Sequence, residues 1–224
     1  MAAPLSPLQE RQWRSAAQRD VRVALNAITS GQMRWDKAHS AGRASIEGLS
    51  NALLEHQVMA ELRLGPLEGS RAACLAKLEA RQMRLARDLE DALGELEASV
   101  AAVSAASEAY VESLTACAHT SAPQRDTALF TSLTPSTIAA HFQRVAGAFT
   151  AELRVKRALA DDVLAYVEAD RAADASSKGK GATSHPPSRE ALLVHVATWV
   201  LQPKLTGSNA LRVVADVRTD MQGW

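Results

Sequence analysis

The chain has 224 residues, of which 44 are Ala and 26 are Leu, against only nine aromatic residues. That balance favours helix and excludes an all-β domain or a parallel α/β sheet, whose strands need the β-branched and aromatic residues that are thin here. Lys+Arg 25 against Asp+Glu 25 gives zero net charge, so no global field draws in nucleic acid or an anionic bilayer.

Residues 1–13 lack a basic segment followed by an apolar core, so no signal peptide is expected at this start. Proline excludes itself from helix interiors, and its positions leave three long Pro-free stretches, Leu8 to Gly65, Leu67 to Ala122 and Ser136 to His185. In the first stretch Val21, Ile28, Trp35, Gly42 and Leu49 fall seven apart, and Leu25, Gln32, His39, Ile46 and Leu53 form the companion row. Alternating offsets of four and three write one helix face. In the second stretch Leu75, Gln82, Leu89, Leu96, Val103, Tyr110 and Cys117 make one row. Its companion, Leu78 and Leu85, weakens to Ala92, Ser99 and Ala106 while Leu93, Val100 and Leu114 take over one position along. A stripe that drifts in this way belongs to a straight helix packed on several neighbours. The two stretches predict a long helical hairpin over 1–118 with its turn near 65–70.

Residues 119–133 read as a loop. Thr134-Pro135 is a helix start, with a capping hydroxyl before a proline at the first helical position. Ile138, Phe142, Val145, Phe149, Leu153, Ala160, Val163 and Val167 then mark one face of a third helix over 134–173. Residues 174–188, rich in Ser, Gly and Pro, predict a flexible linker. The segment 189–224 predicts a helical C-terminal part, with Ser188 as a cap, Pro203 as a stop, and Leu211, Val214, Val217 and Met221 on the last apolar face. The fold class is therefore all-α: an elongated antiparallel helical hairpin, or coiled-coil-like bundle, with shorter C-terminal helices.

Chemistry is hard to find in this sequence. No dinucleotide or phosphate loop, zinc-protease, nucleophile-elbow, EF-hand or di-iron pattern is present, so no catalytic, cofactor-binding or metal residues are assigned. Cys74 and Cys117 match no metal or redox spacing, and 43 residues of continuous helix would hold them about 60 Å apart. Six His are scattered, and His39 and Tyr110 read as packing residues. The longest apolar run, Ala191 to Leu201, is about half a membrane span. Ser6-Pro7 and Thr134-Pro135 are minimal proline-directed kinase sites, and Arg87-Asp88-Leu89 and Arg157-Ala158-Leu159 have the form of short cyclin-docking peptides; all are common by chance. Charge along the second helix is split: Arg71, Lys77, Arg81, Arg84 and Arg87 come first, then Asp88, Glu90, Asp91, Glu95 and Glu97. The split reads first as a solvated face; the sharper alternative is orientation, with a basic half that suits an acidic partner helix and a split that also suits antiparallel self-pairing. The row Leu89, Leu93, Leu96, Val100 and Val103 is too long for the rest of the chain to cover, which predicts an exposed seam and makes these five residues candidates for partner binding.

Three blocks carry a resemblance. Met33-Arg34-Trp35-Asp36-Lys37-Ala38-His39-Ser40-Ala41-Gly42, Glu152-Leu153-Arg154-Val155-Lys156-Arg157-Ala158-Leu159-Ala160 and Trp199-Val200-Leu201-Gln202-Pro203 resemble, in order and approximate spacing, blocks of the cyclin-dependent kinase 2-interacting protein family. The sequence departs from that family at 174–188. The residues that carry the likeness are Trp35, Gly42, Glu152, Leu153, Lys156, Arg157, Trp199, Gln202 and Pro203. The resemblance implies a non-enzymatic helical adaptor in the nucleus, or in nucleus and cytoplasm. Such an adaptor would serve cell-cycle kinases, DNA replication and its checkpoint, or an AAA-type ATPase assembly in ribosome maturation. Its expected partner is a helical protein or a second copy, with a cyclin-dependent kinase, the Cdc7 kinase or an AAA-type ATPase complex as candidates, and with no direct nucleic-acid or membrane binding. The alternative is a coiled-coil subunit of a tethering, kinetochore or spindle complex. In either case Trp35 and Trp199 read as core anchors and Gln202-Pro203 as a helix end.

Overall fold

The computed structural model describes residues 6–116, 126–175 and 187–222. Every regular element among them is helical: α1 Pro7–Glu61, a 3-10 segment Gly65–Ser70, α2 Arg71–Ala116, α3 Pro135–Ala175, α4 Arg189–Leu201, α5 Pro203–Gly207 and α6 Ala210–Asp220. Most of the expected linker, and Cys117, lie outside the described residues.

The helix starts are made by local chemistry. Ser6 and Gln9 form a reciprocal cap, each side chain accepting from the other's backbone N–H. Thr134 Oγ1 accepts from Thr137 N at 3.2 Å, and Pro135 opens α3 without losing a hydrogen bond. Ser188 Oγ accepts from Ala191 N at 3.1 Å. The hairpin turn is held by Arg71. Its guanidinium donates to the carbonyls of Met59, Ala60 and Leu62, supplying the positive charge that the last turn of α1 lacks, and it also binds the Glu68 carboxylate.

Helices α1 and α2 run antiparallel: Gly31 lies against Val103 and Gly48 against Leu85. Helix α3 is antiparallel to α2, as Tyr110 meets Phe142 and Gln82 meets Asp170. The chain divides into two compact units, and the division cuts across the long helices. The first unit is Met1–Trp35, Glu97–Leu153 and Pro203–Trp224; the second is Asp36–Leu96 and Arg154–Gln202. The units are thus made of side-by-side stretches of the helices and not of consecutive segments. Helices of 55, 46 and 41 residues outrun any one core, so side-by-side stretches associate more than sequential ones do.

In the first unit Val21, Ile28, Val103, Ile138, Phe142, Val145, Phe149 and Val217 are buried. Trp35 meets Phe149 edge-on at 5.1 Å, and Tyr110 meets Phe142 in the same way at 5.3 Å. Asp220 ties this unit's loop to α6, accepting from Ser132 N at 2.8 Å, Ser132 Oγ at 2.6 Å and Leu133 N at 3.0 Å. Leu129 and Phe130 of the loop are core residues. In the second unit Ile46, Leu49, Leu53, Leu89, Leu96, Ala160, Val163, Val167, Leu192 and Trp199 form the core. Burying each large side chain contributes about 1.5–3 kcal/mol.

Candidate interaction site

The second unit centres on Trp199. Helix α4 is apolar, and Leu192 and Trp199, seven residues apart, both point inward. Trp199 is fully buried, and its Nε1 donates to the His39 carbonyl at 3.2 Å. Its own carbonyl, among the unpaired ones ending α4, accepts from Lys156 Nζ at 2.7 Å, and that ammonium lies 4.5 Å from the indole centre. Gly42 is the seat of the ring: a Cβ there would sit 2.4 Å from Trp199 Cζ2. The His39 ring lies nearly parallel to the indole at 6.4 Å. Burial, together with the positive charges of Lys156 and Arg43, lowers the His39 pKa to about 4, which keeps the imidazole neutral. Residues from all three resemblance blocks thus meet at one tryptophan.

In the first unit the same blocks supply Trp35, Glu152, Leu153 and Pro203. Glu152 is fully buried and its Oε2 accepts from Lys204 N at 2.7 Å, placing a carboxylate at the start of α5. Leu153 is half-buried. Gln202 takes a left-handed φ of 47° that ends α4, and Pro203 then begins α5, so Gln202-Pro203 is both a stop and a start. Arg157 is exposed. The apolar face of α3 continues through Glu152 and Lys156, not Leu153. From Phe149 the inward positions run 149, 152, 156, 160, 163 and 167, a helical spacing that an acid and a base interrupt.

The expected exposed seam is not there. Leu89, Leu93, Leu96, Val100 and Val103 are all buried, at 0–8% exposure. Helix α3 has 41 residues against the 46 of α2, and both units bring stretches of α1 and α3 together with the row. The Ala-rich part of α2 does leave a shallow groove of about 340 Å³ in the first unit, lined by Ala106, Ala109 and Tyr110. Leu89 of the first cyclin-docking-like peptide is also core, and Leu211 of the last helix is exposed while Val213 takes its place.

The larger opening is elsewhere. Near the hairpin turn of the second unit, α1 and α2 leave a groove of about 780 Å³ floored by Leu54, Val58, Met59, Cys74 and Leu78. Lys77, Arg81 and Arg84 line its rim. Arg81 pairs with Glu55 at 3.0 Å, whereas Lys77 and Arg84 make no ion pair or hydrogen bond among the described residues. On the other side of the hairpin Asp170 of α3 accepts from Gln82 at 3.2 Å and pairs with the buried His56 at 2.9 Å. Among the described residues no three His, Cys, Asp or Glu side chains gather as metal ligands would, and no helix is long and apolar enough to cross a membrane. The sequence displayed the basic rim of this groove; of its floor only Leu78 stands in an apolar row read from the sequence, and Leu54, Val58, Met59 and Cys74 lie outside those rows.

No protein-family model matches the chain, and no curated protein matches it.

Proposed function

We propose that this chain is a non-enzymatic helical adaptor or complex subunit similar to the cyclin-dependent kinase 2-interacting protein family. It acts in the nucleus, or in nucleus and cytoplasm, and holds partners by helix packing. Candidate partners are a cyclin-dependent kinase, the Cdc7 kinase or an AAA-type ATPase assembly, in the settings of replication, its checkpoint or ribosome maturation. One observation carries the reading: His39 and Gly42, Lys156 and Trp199, drawn from three blocks far apart in sequence, meet at a single buried indole. Chance matches to short blocks have no reason to converge on one packing site. The balanced charge favours protein partners over nucleic acid.

Affinity purification of the tagged full chain from cells, with identification of the co-purifying proteins, tests this. A kinase or AAA-type ATPase recovered in fixed proportion is the expected outcome. Recovery of tethering, kinetochore or spindle subunits would replace the assignment, and recovery of the chain alone would refute an adaptor role.

A further inference from the structure

We infer that the groove at the hairpin end of the second unit is the docking site for an acidic amphipathic helix of a partner protein, an inference that rests on the adaptor reading above. The lining from Cys74 to Arg84 spans about 15 Å of α2, enough to seat about three turns of helix. Its floor is apolar, and Val58 on it is 61% exposed. Helix geometry explains why it is bare. His56 points to α3 through Asp170, and residues two places away on a 3.6-residue period, Leu54 and Val58, point to the opposite side. Among the described residues the groove is lined by α1 and α2 alone.

The rim selects the charge of the occupant. Lys77, Arg81 and Arg84 stand at i, i+4 and i+7, so their ammonium and guanidinium groups follow one side of the groove. Among the described residues Glu55 engages Arg81 only and Lys77 and Arg84 have no carboxylate partner, which leaves both to meet carboxylates from outside. Leu or Met side chains at i, i+4 and i+7 of the incoming helix would fill the floor while its Glu and Asp face this row.

Two other occupants fit less well. The segments 1–5, 117–125, 176–186 and 223–224 are dominated by Ala, Ser, Thr, Gly and Pro; Met1 and Leu5 stand at helical spacing, but none of the four segments contains an Asp or Glu to meet the basic rim. A second copy would have to offer the acidic stretch of its α2, but the apolar row of that stretch, Leu89 through Val103, is already buried.

The test introduces a benzophenone photo-crosslinking amino acid at Val58 in the full chain in cells, with the same group at exposed Leu193 as a control. Lys77→Glu/Arg84→Glu is made in parallel, a change at two exposed positions that leaves the core untouched. The Val58 site should crosslink to another protein, through a segment carrying Glu or Asp beside helically spaced apolar residues. Charge reversal should lower that yield about tenfold while helix content and melting temperature stay unchanged. A crosslink to a second copy, a partner segment without acidic residues, or an undiminished yield after charge reversal would overturn the assignment. If partners still co-purify with the reversed variant and Val58 captures none of them, the groove assignment falls and the adaptor reading stands. If nothing co-purifies with the wild-type chain, the adaptor reading falls and the groove goes with it.

Discussion

Gly42→Ala is a sharp probe of the packing at Trp199, because two opposed effects act at one helical glycine. Placing Ala in a helix interior instead of Gly gains about 1 kcal/mol. At Gly42, however, the added methyl would lie 2.4 Å from Trp199 Cζ2 and 3.2 Å from Cη2. The indole cannot step aside freely, since its N–H is bonded to the His39 carbonyl and its backbone carbonyl to Lys156. Overpacking of this kind costs about 1–3 kcal/mol, and a clash this close belongs at the upper end. The net expectation is destabilisation by about 1–2 kcal/mol. Gly94, in the interior of α2, has nothing within 4 Å of the place its methyl would occupy, so Gly94→Ala keeps the helix gain and should stabilise by nearly 1 kcal/mol. The two variants should therefore differ by about 2–3 kcal/mol, or roughly 4–12 °C in melting temperature for a chain of this size. Urea unfolding followed by circular dichroism reads the difference, and indole fluorescence reports on the ring. Equal stabilisation by both substitutions would mean that Gly42 is not the seat of Trp199.

Leu96→Asp puts a carboxylate into the core of the second unit, where Leu96 is fully buried, and should cost more than about 4 kcal/mol. Circular dichroism should show loss of fold; a folded variant that only loses partners would restore the exposed-seam reading. Lys156→Met keeps the volume but deletes the bond to the Trp199 carbonyl, and should lower stability by about 2–3 kcal/mol in urea; a change below about 0.5 kcal/mol would contradict that role. Asp220→Ala removes the acceptor of Ser132 N and Leu133 N and should cost about 1–3 kcal/mol, with faster proteolysis in the loop. Stability should also fall on acidification. His39 titrates near 6.5 when unfolded and near 4 when folded, so between these values the unfolded chain takes up the proton and the folded state loses ground. None of this loss occurs above about pH 6.5; below it, a partly buried site gives about 1–2 kcal/mol after solvent screening. His141 is lowered in the same sense by burial and Arg144, against Asp216. Melting curves from pH 7.5 to 5 should flatten in His39→Gln, and an unchanged slope would count against this account.

What the sequence displayed was one-dimensional. The rows through Val21, Ile28, Trp35 and Leu49, and through Leu89, Leu96, Val103 and Tyr110, are core rows, because helical period and burial are the same fact seen along one axis. Capping at Thr134 and Ser188 was legible for a similar reason: a cap is a contact within three residues. Periodicity does not say which helix covers a row, so the second helix's stripe looked bare when α3 and α1 were there to meet it. Gly42 looked like a gap in an apolar row, and only the position of Trp199 shows that the gap is filled by an indole. Glu152 and Lys156 look like surface residues of a charged helix until their place on the 149–167 face is followed. The hairpin groove lies on the side of α1 and α2 turned away from Asp170 of α3, a property of three dimensions that no local pattern records.

If the chain works in a fixed complex with another protein, native mass spectrometry of the tagged chain isolated at endogenous level should show an assembly well above the 23.9 kDa of the chain, containing a different protein in constant ratio. A single species at the mass of the tagged chain alone would rule that complex out.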